Sequence, residues 1–373
     1  MENSPELSEL LERARSLPEG DARVALLEEA VRLADSRNDS EQGYQIRQLL
    51  IKSAAFSGYP EKTLLHFSWC LGRYDQNPEL HDEWELLWEY KWVIGILPGF
   101  PSVSREKIES ALEDMKQRYE KAGCSLRPVY HSWWKAFWSM NDLEKAEEYR
   151  RKRDRERESN LSDCPACRAN SEMKYEAERG ELEQALHTAT PLLTGELSCA
   201  AVPATTYASA LYPLFKLDRL DEANLYHRLG IDLISSNVRE YIGEFGDHIE
   251  FLVLTDRIAR ALEVFRLTIG PALELKNLDV RFHYLSSLLL LLRRLEERGE
   301  GELKLESPAG PEPSSPEGAY GIAALRSYYE DEARKIAAAF DGRNGGDAYA
   351  RRLEERLGRL REIRPSSSDN AAS

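Results

Sequence analysis

One short turn recurs along this chain and limits what it can fold into. A small or polar residue, then a bulky one, then a small residue at the next tight contact appears as GDARVAL around Ala25, GYPEKTL around Thr63 and NDLEKAE around Ala146. It continues as GELEQAL around Ala185, DRLDEAN around Ala223 and DRIARAL around Ala261. Neighbouring occurrences lie 38 or 39 residues apart, inside the range of helical repeats. The interval from Thr63 to Ala146 is 83 residues, so one turn is missing between them and is expected near Ile108, in SREKIESALEDM. The surplus residues are the loop PGFPSVS, whose prolines and glycine cannot continue the helix expected to end near Leu97.

A helix pair with Gly or Asp at its turn and a small residue on its second helix resembles the tetratricopeptide repeat family, here in a long-period, bacterial-type form covering roughly Glu6 to Leu275. Each unit is about one helical turn longer than the family's usual ~34 residues. The resemblance implies an all-α fold: a right-handed superhelical solenoid of seven to eight antiparallel helix pairs, with a concave face that binds proteins or peptides. It implies no catalytic activity. Past residue 275 the pattern changes. A helix is expected from Asp279 to Arg298, followed over 300–318 by a Pro-, Gly- and Glu-rich mobile loop. Helices then resume over Ala319 to Phe340 and Asp347 to Ile363, separated by DGRNGG, and are expected to cap the array. The organisation read from sequence is thus a repeat array over 1–275, a last repeat with loop and capping helices over 276–364, and a disordered tail over 365–373.

A formal charge of -15 argues against a nucleic-acid surface, which needs clustered Lys and Arg to release phosphate counterions. The expected partner is a neutral or basic protein or peptide. The N-terminus carries acidic residues where a secretory signal carries positive charge, and the longest apolar run, Leu285 to Leu292, is interrupted by Ser286 and Ser287. These features predict a cytoplasmic protein with no membrane segment, whose five cysteines are reduced. The sequence contains no Gly-rich phosphate loop after a strand, no His-Glu-x-x-His helix and no Gly-x-Ser-x-Gly elbow, so it is not read as an enzyme.

Three of the cysteines gather at one repeat junction. Cys164 precedes Pro165, a residue favoured at the first helical position, so Cys164 and Cys167 fall on the first turn of a helix. Cys199 lies just ahead of Pro203, which opens the corresponding helix one repeat later. Stacking at this period brings the three thiols to one edge of neighbouring units. His131, one repeat earlier, supplies the fourth ligand of a tetrahedral structural zinc in the sharpest reading, with Asp163 or water as its alternatives. Two further readings stay open: Cys164 and Cys167 as a redox pair, or all three as small buried residues at a junction. Cys70 and Cys124 read as isolated core thiols.

Aromatic residues crowd the helices just before this cluster. Trp84, Trp88 and Trp92 recur on one helical face, and Tyr130, Trp133 and Phe137 take the family's core positions. His131, Lys135 and Trp138 fall on the ridge that resembles the family's concave lining, as do Cys167, Asn170 and Lys174 in the next repeat and Thr205, Tyr212 and Lys216 in the one after. A groove of His131, Lys135, Trp138, Asn170, Lys174 and Tyr212 suits a peptide carboxylate or backbone. Solvated Lys and Asn on a helix face is the competing reading. The run RRKRDRER, Arg150 to Arg157, reads as a solvated helix end, since Asp154 and Glu156 interrupt it. The expected function is a binding scaffold. The alternatives are a peptide- or metabolite-sensing regulator acting through protein contacts and, further off, a zinc- or thiol-dependent enzyme.

Overall fold

The computed structural model of the chain describes residues 5–305, 310 and 318–364. Helices dominate it, and they follow one another in packed pairs. Two compact units divide the chain, Met1–Ser162 and Asp163–Ser373. The first contains α1 (Pro5–Ser16), α2 (Asp21–Ser36), α3 (Ser40–Ala55), α4 (Pro60–Gln76), α5 (Glu83–Ile96), α6 (Arg105–Lys121), α7 (Arg127–Ser139) and α8 (Leu143–Arg155). The second contains α9 (Pro165–Glu178), α10 (Leu182–Leu193), α11 (Ala204–Lys216), α12 (Leu220–Ile234), α13 (Ile242–Leu254), α14 (Ile258–Glu274), α15 (Leu278–Glu297), α16 (Ile322–Asn344) and α17 (Ala348–Gly358). Among the described residues, no helix is long and apolar enough to cross a membrane.

The recurring motif acts through backbone conformation. Gly58, Asn141, Gly180, Asp218 and Asp256 each have φ between 55° and 80° and each stands two residues before the second helix of a pair. That left-handed step reverses the chain, and Gly, Asn and Asp are the residues that tolerate it. The fourth residue of each second helix then meets the first helix. Thr63, Ile108, Ala146, Ala185, Ala223 and Ala261 all occupy that position and are wholly buried, so the turn missing from the sequence pattern is indeed the one beside Ile108. In α2 the position belongs to Val24, while Ala25 is exposed. The first repeat is therefore shifted by one residue from its expected register, because Gly20 enters the helix with φ 151° rather than through the left-handed step. The surplus length lies on either side of α5, in two 3-10 turns, Pro78–Leu80 and Leu97–Gly99, and the Ser104 hydroxyl restarts the helix by accepting from the Lys107 N–H.

Aromatic packing fills the first unit near α7. Trp134 and Phe137 are wholly buried, Trp133 nearly so, and Trp133 stacks on Tyr149 of α8 at 4.7 Å. Trp134 is the most deeply buried tryptophan. In the second unit, α15 is buried on most of its surface and joins α13, α14, α16 and α17 in one apolar cluster.

The C-terminal region departs from expectation. A short antiparallel hairpin pairs β1 (Glu302–Lys304) with β2 (Ala319–Gly321), Leu303 opposite Tyr320. Leu303, Leu305 and Tyr320 bury in the α15–α16 core, so 302–305 is ordered chain rather than loop, and the helix expected from Ala319 starts at Ile322. Three-residue strands carry too little alternation to be read from sequence. Residues 306–309 and 311–317 of the expected mobile loop, and the expected tail, 365–373, lie outside the described residues. The α16 helix runs through most of DGRNGG and ends at Gly345, whose φ of 77° supplies the left-handed cap.

Candidate functional site

The three junction cysteines meet. Cys164 is the residue capping α9: its Sγ accepts the Cys167 N–H at 3.4 Å, as an N-cap oxygen would. Cys199 sits in the segment between α10 and α11, where its N–H donates to the Val202 carbonyl at 3.0 Å and its sulfur accepts from the N–H groups of Ala201 and Val202. The Cys167 and Cys199 sulfurs are 3.1 Å apart, and all three sulfurs lie within 4.8 Å of one another. All are free thiols, half-buried, over a floor of Ala166, Leu192 and Val202. A tetrahedral zinc with Zn–S near 2.3 Å sets its sulfurs about 3.8 Å apart, so a shift of under about 1 Å per sulfur completes the geometry. The group can hold a metal ion.

Electrostatics separates Cys167 from Cys199. Burial pushes Cys167 well above the usual thiol range, and hydrogen bonds with its sulfur neighbours push it further. Burial acts the same way on Cys199, but the bonds it receives from Cys167, Ala201 and Val202 outweigh it and hold that thiol below its ordinary value. Cys199 is thus the more acidic thiol of the pair. Backbone N–H groups aimed at thiolate sulfurs are also how metal-bound cysteines are stabilised.

His131 is not in this group. It belongs to the first unit, where it is buried with its ring 5.2 Å from Trp134 and its Nδ1 3.5 Å from Nη1 of Arg153. Its expected place on an exposed ridge is therefore corrected: the large indole at 134 gives the ring an internal neighbour. Lys135 and Trp138 of the same helix are half-buried, and Trp138 stacks on Trp134 at 5.7 Å. Arg153 corrects a further expectation. Within the basic run read as solvated, it is buried, and Arg127 donates to its carbonyl and to that of Glu156, closing the end of α8. Cys70 is a core thiol as expected, whereas Cys124 is only half-buried.

The ridge residues of the second unit are engaged within it. Asn170 donates to Thr205 Oγ1 at 3.2 Å and accepts from Thr206 Oγ1 at 2.8 Å, fastening α9 to α11. Lys174 pairs with Glu244 of α13 at 3.5 Å. Tyr212 and Lys216 meet the chain's own C-terminal segment: the Tyr212 hydroxyl donates to Glu362 at 3.4 Å, Lys216 pairs with Glu362 at 3.0 Å, and the Arg359 guanidinium lies 3.6 Å from the Tyr212 ring centroid. Asn170, Lys174, Tyr212 and Lys216 thus all have partners within the second unit.

The second unit's first helices instead receive a helix carrying arginines. Arg356 of α17 pairs with Glu250 of α13 at 3.2 Å and donates to the His283 carbonyl and the Ser287 hydroxyl of α15 at 3.0 and 2.9 Å. Arg359, in the 3-10 turn Arg359–Glu362, pairs with the other oxygen of Glu250, a carboxylate only 3% exposed. Arg352 pairs with Glu178 at the end of α9, and the Arg364 N–H donates to the Leu254 carbonyl at 2.8 Å. Asp247 adds negative charge; burial raises its pKa, but His283 at 2.7 Å, with Arg356 and Lys174, brings it below the ordinary carboxylate value. Sequence reasoning missed this arrangement. Its signal was the spacing of Arg352, Arg356 and Arg359, which lines the three up on a helical face directly beside the apolar stripe of Tyr349, Leu353 and Leu357. Compared with known proteins, the chain matches no protein-family model and no curated protein.

Proposed function

We propose that this chain is a helical-repeat binding scaffold of the tetratricopeptide kind, a superhelical array whose concave face, lined by the first helices of its pairs, takes basic helical segments of other proteins. One observation carries the reading: the first helices of the second unit already hold such a segment in cis, through Arg356 and Arg359 on the buried Glu250 and Arg359 on Tyr212. Helix-in-groove recognition uses these elements, charged pairs fixing register and apolar residues supplying area. The first unit has a cavity of about 210 Å³ between α1 and α3, lined among others by Leu11, Glu12, Arg15, Gln42 and Ile46. On α5, Trp84 is 44% exposed and stacks on Trp88 at 5.4 Å. The chain's charge of -15 favours a basic partner. The test is titration of the chain shortened to end at Gly346, its first helices then free of the cis segment and its helicity checked by circular dichroism, with a labelled peptide of the sequence 348–364. Saturable binding that disappears when the arginines matching 352, 356 and 359 are replaced by glutamate is the expected result; equal binding of both peptides, or of neither, refutes the reading.

The cysteine cluster fits a structural role in the same array. One zinc on Cys164, Cys167 and Cys199 ties the start of α9 to the segment ahead of α11, in a compartment that keeps thiols reduced. A chelator-induced fall in melting temperature, absent from Cys199→Ser, tests it; an unchanged melting temperature with no metal in the purified protein removes it.

A further inference from the structure

Resting on that zinc reading, we infer that the three cysteines form a three-thiolate centre whose fourth coordination position is filled from outside the chain by an exogenous thiolate. The donors argue for it first. Among the described residues, the side chains able to ligate a metal within 4.8 Å of one another at this site are the three sulfurs, with no His, Asp or Glu among them. Zinc with three thiolates takes a fourth ligand, and a site that gives only three protein ligands leaves that position exchangeable. Burial agrees. The sulfurs rest on Ala166, Leu192 and Val202 and are half-exposed beyond that floor, so an incoming ligand has an approach that closed four-cysteine sites deny.

The chemistry selects the ligand class. Three sulfurs make the ion soft, and softness favours a further sulfur over a carboxylate or carbonyl. Metal binding costs each cysteine its thiol proton, giving a centre of net charge -1 with water in the fourth position. An entering thiol then displaces that water and releases one proton, so neither step changes an oxidation state. The N–H groups of Cys167, Ala201 and Val202 spread the negative charge that accumulates, and Arg168, next in sequence to Cys167, donates to the Asp163 carbonyl beside Cys164. A low-molecular-weight thiol and a cysteine on a partner protein share this chemistry.

The experiment uses the full chain, purified without metal or thiol under a phosphine reductant and loaded anaerobically with one equivalent of Co²⁺. The thiolate-to-cobalt absorption should correspond to three sulfurs, fall by about one third in Cys199→Ser, and rise by about one third when millimolar ethanethiol is added, with a shift of the ligand-field bands. A cysteine-containing peptide that gives the same rise at concentrations more than about tenfold lower than ethanethiol identifies a protein partner as the source; a rise at equal concentrations identifies a small thiol. A cobalt spectrum that ignores both thiols overturns the inference while leaving the zinc reading standing. If His131→Asn then restores the response, the fourth ligand is that imidazole. Absence of any Co²⁺ or Zn²⁺ binding removes both.

Discussion

Replacing Glu250 separates the two ways in which the C-terminal segment is held. This carboxylate is 3% exposed and accepts from Arg356 and Arg359 on its two oxygens. Glu250→Ala leaves two guanidinium groups facing a small apolar gap, and breaking a buried pair from one side costs about 3–5 kcal/mol. Glu250→Gln keeps the shape and one acceptor but removes the charge, for a loss of roughly 1.5–3 kcal/mol. Neither loss should release α17, because Tyr349, Leu353 and Leu357 are buried in the α15–α16 cluster at about 2 kcal/mol each. The turn after α17 is anchored more weakly: Leu360 and Ile363 are only partly buried against the apolar clusters, Arg359 would keep only the Tyr212 ring, Glu362 its contacts to Tyr212 and Lys216, and Arg364 its bonds to Leu254 and Asp218. Urea denaturation at pH 7 should therefore show a graded loss, Ala greater than Gln. Amide exchange should accelerate over 359–364 while α17 keeps its protection. A cost below about 1 kcal/mol for Glu250→Ala, or unchanged exchange at Arg364, refutes the reasoning.

Further substitutions and a pH series test other parts of the fold. Gly230→Ala in α12 places a methyl 2.9 Å from the His248 ring and 3.2 Å from the Tyr207 Cβ, so it should cost about 1–3 kcal/mol in urea, not gain the roughly 1 kcal/mol usual for a helical Gly→Ala change. Burial holds His248 down at about 4, beside His227 at 2.9 Å, so its contribution is complete above pH 6.5 and is lost as pH falls toward 4. The loss is roughly 3 kcal/mol, and His248→Gln should lessen the slope of the stability profile over that window, leaving the part due to His66 and His227, which burial also lowers. Glu89 of α5 titrates in the opposite sense. Burial, then Glu85, pushes it up to about 9, so the first unit is favoured below pH 4.5 and loses stability as pH rises through 9. By pH 7 the penalty is about 3 kcal/mol, and Glu89→Gln should recover most of it in a urea titration. Arg127→Met removes the two donors that close the end of α8 and should cost about 1–2 kcal/mol, seen as lost protection over Arg153–Glu156.

The sequence revealed the fold wherever a local rule fixed it. The left-handed step needs Gly, Asn or Asp, and the close approach behind it needs a small or compact residue, so the turns at Gly58, Asn141, Gly180, Asp218 and Asp256 were visible without coordinates. Meeting of the cysteines followed from the same period. What stayed hidden depends on contacts between distant segments. Nothing local marks Trp134 as the neighbour that buries His131, and nothing near Tyr212 announces Glu362, 150 residues away, as its partner. The hairpin was hidden for another reason: three residues per strand leave no period to detect.

Hydrogen–deuterium exchange of the chain ending at Gly346, with and without the arginine-bearing peptide, tests most directly whether the first helices form a binding face. The account predicts slowed exchange confined to first helices of the pairs and to α16, whose Phe340 stacks on Tyr349, with α2, α4, α6, α8, α10, α12 and α14 unchanged, and no slowing with the glutamate-substituted control. Protection centred on the second helices, or none at a peptide concentration that saturates binding, would contradict it.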